Sequence, residues 1–489
     1  MKKLWVVIVF LVMSINLQAD DLKEAKKLCD GGEATECSTL GMIYIRGEDV
    51  EQNYFKAQKL FKKACDGGNA GGCNHLGWLY DIGEGVKQDS FKAVKLYKKA
   101  CEGGDAPSCT LLGWNYAQGK GVKEDSFQAV KFYQKACESG GLEGCKYLAF
   151  MYKLGRGVKR DSTKVIKFYK KACIGGNFGG CRKLGRFFLE NDSFINAAKF
   201  YKKACDGKDA LGCTFLGKMY FNGEGIKKDI LKAIEFHKKS CEYGDSRGCN
   251  TTGDIYMHRK TMFLDGKSWS IKKDFVKARE FYKKSCDMND SGGCYYLGYM
   301  YEYEEGVKKD IFKAIELYEK SCTIDNWWSS ITDGCLHLGN LYKLGDQVKH
   351  DFFKAVKFYK KVCDGGEDIG CSNLGWMYAN GKGVKQDSFK AVKLYEKACD
   401  GGDENGCFKL GNMYANGEGV KQDSFKAVKF YQKACDWKDT EGCYSLGLMY
   451  LDGEGVRQSE NKAKELFGKA CDNGNAGGCK GYAILNKKK

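Results

Sequence analysis

Apolar residues recur along this chain at helical spacing, and the helical stretches themselves recur. In Cys-Asn-His-Leu-Gly-Trp-Leu-Tyr, residues 73–80, the positions Cys73, Leu76, Gly77 and Tyr80 fall at i, i+3, i+4 and i+7, which is one face of a helix. Gly83-Glu84-Gly85-Val86 ends that helix, because glycine takes the left-handed cap conformation and Val86 can fold back on apolar surface. Asp89 stands as N-cap of a second helix, whose buried stripe is Ala93, Leu96, Tyr97, Ala100 and Cys101. A loop at residues 102–105 returns the chain to the next Cys-x-x-Leu-Gly helix. Each unit is therefore a pair of antiparallel helices, with Gly77, Ala93 and Ala100 small where backbones approach. No β-sheet is expected.

The cysteines measure the period. The first members of the pairs are Cys29, Cys65, Cys101, Cys137, Cys173, Cys205, Cys241, Cys286, Cys322, Cys363, Cys399, Cys435 and Cys471, and nine of the twelve steps are 36 residues. The second members are Cys37, Cys73, Cys109, Cys145, Cys181, Cys213, Cys249, Cys294, Cys335, Cys371, Cys407, Cys443 and Cys479, each eight residues on except Cys335, thirteen after Cys322. The 489 residues would by length alone suggest two or three domains. A fixed period replaces that with one array over residues 20–489, irregular near 182–205, 250–286 and 322–363. The single proline, Pro107, beside 63 glycines leaves glycine to do the turning.

Geometry selects the pairing. A disulfide needs Cα atoms roughly 4.4–6.8 Å apart, whereas equivalent positions in successive helix pairs are separated by at least the 8–10 Å, roughly, between packed helices. Cys101 and Cys109 face each other across a short loop, so all thirteen bridges are expected to be local. Each closed loop stabilises by about 2.5 kcal/mol in the chain-entropy model. Zinc ligation is the alternative, but it favours cysteines two to four residues apart and four converging ligands. So many cysteines belong to an oxidising compartment. Residues 1–19 agree with that, reading as a removable secretory signal: Lys2-Lys3, an apolar run Leu4 to Ile15 too short to span a bilayer, and a small Ala19. Removing them takes the formal charge from +17 to +15. The rest of the chain offers no segment for stable membrane insertion and is expected to be monomeric.

The residues LGWLYDIGEGVKQDSFKAVKLYKKAC resemble the Sel-one-like variant of the tetratricopeptide repeat. With cysteine replacing an alanine in both helices, the pattern resembles the Helicobacter cysteine-rich protein family. The resemblance implies an all-α fold: an α/α solenoid, a right-handed superhelix of about thirteen disulfide-clamped helix pairs. It also implies a secreted or periplasmic protein, and a concave groove lined by positions one, five and eight after the second cysteine of each pair. Those positions supply Asn74, Trp78, Trp114, Lys146, Phe150, Lys153, Arg182, Arg186, Lys218, Tyr295, Tyr299 and Trp376. Cations gather over three consecutive units and aromatic residues flank them. That pattern suits an extended anionic ligand held by arginine with aromatic anchors. Trp327 and Trp328 in the insertion after Cys322 are a second candidate surface.

Catalytic chemistry is harder to find. The repeated Gly-x-Gly follows a helix instead of a strand and is a turn, not a phosphate loop. The five histidines, His75, His237, His258, His337 and His350, have no clustered spacing and read as surface residues. The family resemblance carries a β-lactamase label, yet Ser-x-x-K occurs only at Ser270/Lys273 and Ser459/Lys462, without the Ser-Asp-Asn and Lys-Thr-Gly companions. A solenoid also lacks an enclosed pocket for acyl transfer. The lysine excess matches helix dipoles, with aspartate first and Lys-Lys last in the second helices, so nucleic-acid binding is not expected. No cofactor or metal is expected. The reading is a binding protein for a protein, peptide or cell-wall fragment, in the envelope or at a host surface. β-Lactam hydrolysis and a purely structural spacer are the alternatives.

Overall fold

The computed structural model describes residues 19–47, 50–258, 260–264, 267–271, 273–324 and 332–487. They fall into two compact units that divide between Lys239 and Ser240. Among the described residues are 26 helices in alternating first and second positions.

In the unit before Lys239, the repeat at residues 70–105 shows why the chain folds this way. Its first helix, Ala70–Ile82, starts at Asn69, whose side chain accepts from the Gly72 amide at 2.7 Å. It ends at Gly83, at φ +81°, where the Gly83 amide donates to the Leu79 carbonyl. Gly85, at φ +69°, is required by close approach: a Cβ there would lie 2.6 Å from the Tyr54 carbonyl, at the start of the preceding second helix. Asp89 caps the second helix, Ser90–Glu102, by accepting from the Lys92 amide at 2.9 Å. The buried stripe of that helix is Ala93, Val94, Tyr97, Ala100 and Cys101, with Leu96 half-buried. Gly77 admits the Tyr97 ring, since a Cβ at Gly77 would lie 2.9 Å from Tyr97 Cε1. Pro107 sits in the first turn of Ala106–Gln118, where a missing amide costs no helix bond.

An aromatic stack ties first to second helix within later repeats: Tyr116 on Phe132 at 5.5 Å and Tyr152 on Phe168 at 5.8 Å. The same contact recurs in the unit after Ser240 as Tyr414 on Phe430 at 5.5 Å.

All thirteen cysteine pairs form as the spacing predicts, with Cα separations of 4.4–4.8 Å. Each bridge joins the second helix of one repeat to the first helix of the next, as Cys101 in Ser90–Glu102 joins Cys109 in Ala106–Gln118. A lysine reinforces the same junction. Lys99 Nζ donates to the carbonyl of Cys65, one repeat back, at 2.8 Å, and Lys171 does so to Cys137 at 2.8 Å. Lys320 and Lys397 repeat the contact to Cys286 and Cys363 in the unit after Ser240. The second lysine of the Lys-Lys pair is thus a cap for the neighbouring helix terminus as well as a solvated charge.

The irregular units depart in different ways. After Cys181 the deletion shortens the turn between Phe178–Leu189 and Phe194–Asp206, which passes through Asp192 at φ 55° instead of a glycine. After Cys249 the expectation of no β-sheet fails locally. Lys260–Leu264 pairs antiparallel with Lys267–Ile271, Met262 opposite Trp269. In the sequence the two short runs are separated by Asp265-Gly266, a pair that favours a two-residue hairpin turn. The expected signal segment, residues 1–19, lies outside the described residues apart from Ala19, which begins a helix, and so do Trp327 and Trp328.

Candidate functional site

The groove positions of the first helices are occupied by three kinds of residue. Some serve the scaffold. Asn74 donates to the Asp105 carboxylate at 2.7 Å, and Asp105 caps the next first helix, Ala106–Gln118. Trp78 and Trp114 are half-buried, and Lys120 spans the latter, 5.6 Å above its ring while pairing with Asp81 at 2.6 Å. Phe150 is exposed.

The cations that the sequence brings together are mostly paired. Lys146 pairs with Glu143, Lys153 and Arg186 share Glu190, and Arg182 Nε meets both Asp209 oxygens at 2.9 and 3.2 Å. Asp209 also accepts from the Gly212 amide, so Arg182 buttresses a helix cap. Burial alone would raise the Glu190 carboxyl, but hydrogen bonds from Lys153 and Arg186 outweigh it and hold it below the usual range. Lys218 is exposed.

Two residues outside the one, five and eight register change the picture. Lys183 is half-buried and makes no ion pair among the described residues; burial and the charges of Arg182, Arg186, Lys146 and Lys153 lower its pKa. In the second helix of the same repeat, Tyr201 is fully buried and its hydroxyl has no hydrogen-bond partner among the described residues. Burial pushes it up to about 12, with Glu190 adding to the rise and the charges of Arg186 and Arg182 opposing it. Where the residue five after the cysteine is an acceptor, the equivalent tyrosine donates to it, as Tyr359 does to Asn340 and Tyr431 to Asn412, both at 2.7 Å. Before Tyr201 that place holds Arg186, which cannot accept a proton. The Tyr201 hydroxyl is thus an unmet donor in the field of two guanidinium groups.

In the unit after Ser240 the aromatic positions surround a buried carboxylate. Glu302, 2% exposed, accepts from Tyr318 Oη at 2.6 Å and Gln347 Nε2 at 2.8 Å, and meets His337 Nε2 at 2.6 Å. Tyr295 packs 5.6 Å from Tyr318 and 5.9 Å from His337, while Tyr299 lies 4.4 Å from Tyr303. Trp376 carries Lys343 Nζ 4.4 Å above its ring.

The Sel1 repeat profile matches residues 39–69, 70–105, 106–141, 142–177, 183–209, 210–245, 261–290, 291–326, 332–367, 369–403, 405–436 and 440–475. The chain belongs to the Sel1 repeat family. Proteins of this kind are typically protein-interaction scaffolds. The Sel1 structure c5321, a protective antigen present in uropathogenic Escherichia coli strains, is 28% identical with a TM-score of 0.61, covering 97% of this chain and 91% of its own. Helicobacter pylori cysteine rich protein B is 39% identical over 28% of this chain and 97% of its own, with a TM-score of 0.23. A Sel1 repeat protein from Oxalobacter formigenes is 21% identical, covering 73% of this chain and 90% of its own, with a TM-score of 0.46. No curated protein sequence matches.

Within the Sel1 frame, the residues that suggested catalysis have structural work. Ser459 caps the helix Glu460–Asp472 by accepting from the Lys462 amide, and Lys462 Nζ pairs with Glu465 at 2.8 Å. The Ser270 side chain lies outside the description. His258 and His350 are exposed as expected, while His75, His237 and His337 correct the surface reading. His237 is buried in the place of the tyrosine, where a Cβ at Gly217 would lie 2.9 Å from its ring. Burial lowers the His75 pKa, and His337 joins Glu302. His350 puts Nδ1 3.0 Å from the Lys343 carbonyl, a contact that Gln88 makes to Asp81 in its own repeat. Among the described residues no helix is long and apolar enough to cross a membrane.

Proposed function

We propose that this Sel1 protein is a secreted or periplasmic binding protein, one array over residues 20–489, that holds an extended protein, peptide or cell-wall fragment along its first-helix positions. Thirteen bridges support an oxidising compartment. A relative described as a protective antigen supports a role in meetings between bacterium and host. The observation that carries the ligand chemistry is the Tyr201 hydroxyl, buried without an acceptor in the field of Arg182 and Arg186, the same two charges that act on the unpaired Lys183. A carboxylate oxygen of the ligand would accept from Tyr201 and pair with Lys183, with Arg186 released from Glu190 to join it. Phe150 and the half-buried Trp114 stand along the same line of first helices as apolar anchors.

The test is fluorescence anisotropy with acidic, neutral and basic peptides of equal length. The wild type should favour the acidic peptide. Arg186→Ser with Lys183→Gln should abolish that preference, and Tyr201→Phe should weaken binding by about tenfold, the value of one hydrogen bond to a charge. Arg182→Ser is the poorer variant because it also loosens the Asp209 cap. Acidic-peptide affinity unchanged in both variants would remove the site.

A further inference from the structure

The second helices carry a feature that the groove does not use. Two residues after the N-cap, a phenylalanine stands in solvent: Phe55, Phe91 and Phe127 in one unit, and Phe353, Phe389 and Phe425 in the other. These rings are 58% to 78% exposed, whereas Tyr97, six residues beyond Phe91 in the same helix, is 1% exposed. Within each unit they recur at the 36-residue step, so they form a row, with neighbouring helices of one layer about 10 Å apart. Large apolar side chains exposed at one repeating register mark an interaction surface.

The charges around the rings choose the partner. After four of the six rings the lysine one residue on is tied locally, as Lys92 to Asp89 at 3.6 Å and Lys390 to Asp387 at 3.3 Å. The lysine four residues on is not. Lys59, Lys95 and Lys393 each hold Nζ 4.5 Å above the ring and make no ion pair among the described residues. The other three rings are followed at the same spacing by Lys131, Lys357 and Lys429. Where the ring becomes Leu231 or Val276, the residue four on becomes Glu235 or Glu280, and Phe312 is followed by Glu316; where it becomes Thr163 or Ile195, the lysine four on stays, as Lys167 and Lys199.

We propose that the row in each unit is an interfacial docking surface for a bilayer containing anionic phospholipid. The rings enter the boundary between headgroups and acyl chains, and the lysines four residues on meet lipid phosphates. A folded protein partner would need one matching pocket per ring at the repeat pitch, since rings this exposed bring no walls of their own. A fluid interface accepts protruding rings at any spacing. The inference uses second-helix residues and is independent of the proposed groove ligand.

The experiment is vesicle sedimentation with the oxidised chain from Ala19 onward, which contains every described helix. Vesicles of phosphatidylglycerol mixed with phosphatidylcholine should bind it at least about tenfold more tightly than phosphatidylcholine alone, with binding weakened by salt. Changing the six phenylalanines to serine should reduce that binding at least about tenfold with the circular dichroism spectrum unchanged. Lys59→Gln, Lys95→Gln and Lys393→Gln together should weaken it and flatten its salt dependence. Failure of the wild type to bind anionic vesicles, or equal binding by the serine variant, overturns the proposal. So does self-association of the wild type that the serine variant loses, which would give the surface to a second copy of the chain.

Discussion

Glu302→Gln keeps the volume of a buried side chain and removes its charge, which isolates what the carboxylate contributes. In the wild type, three partners converge on it, from Tyr318, His337 and Gln347. A hydrogen bond to a charged group is worth about 1.5–3 kcal/mol and a neutral one about 0.5–1.5. Losing the charge therefore costs up to about 1 kcal/mol per bond, or roughly 2–3 kcal/mol for the cluster. Glu302→Ala goes further, stranding all three partners around a cavity, at about 3–5 kcal/mol. Because repeat arrays open locally, the readout is hydrogen exchange across Ser291–Tyr303, Ile311–Thr323 and Thr332–Leu344 at neutral pH.

Acid supplies a second reading of the same cluster. Burial alone would raise the Glu302 carboxyl, yet hydrogen bonds from His337 and Tyr318 outweigh burial and hold it below the usual glutamate range. A carboxyl lowered by folding stabilises fully above its unfolded pKa, about 4.3, and that contribution fades as pH falls through the lower folded value. Urea midpoints followed downward from pH 7 should show this acid loss in the wild type and a shallower one in Glu302→Gln. Equal exchange protection and equal acid profiles in the two proteins would refute the assignment.

Glu304 lies two residues away and should respond in the opposite direction. It ends Ser291–Tyr303 at φ 61°, where other repeats use glycine, so Glu304→Gly should stabilise by about 1 kcal/mol, seen as a higher urea midpoint. Cys101→Ser with Cys109→Ser should cost about 2.5 kcal/mol. Because that bridge links consecutive repeats, hydrogen exchange should rise in both Ser90–Glu102 and Ala106–Gln118, and a change confined to the loop between them would contradict the linkage. Lys99→Met keeps the aliphatic stem and removes the donor to the Cys65 carbonyl, so it should cost about 1 kcal/mol in thermal melting, with faster exchange at the end of Tyr54–Asp66.

The repeat was legible because its signals are local. Asp89, Gly83 and the cysteine pair across residues 102–108 each act over a few residues, so one copy read correctly gives the others. The hairpin is hidden from the helical period, and its signal is only Asp265-Gly266 between two short runs. Pairs formed between repeats were harder. Glu302 and His337 are 35 residues apart at different offsets from their cysteines, and only stacking of one repeat on the next joins them. The cation cluster fails for a related reason. Counting one, five and eight after each cysteine selects Lys146, Lys153, Arg182 and Arg186 but passes over Glu143, Glu190 and Asp209, which neutralise them from other offsets. The same count passes over Lys183, which has no such acid, and Tyr201, on the second helix. In a stacked array the net charge of a surface is set by every offset that faces it. The residue to test for binding is therefore the one left unpaired after neighbouring repeats have been laid beside it, and in the cationic stretch that residue is Lys183 in place of Arg182.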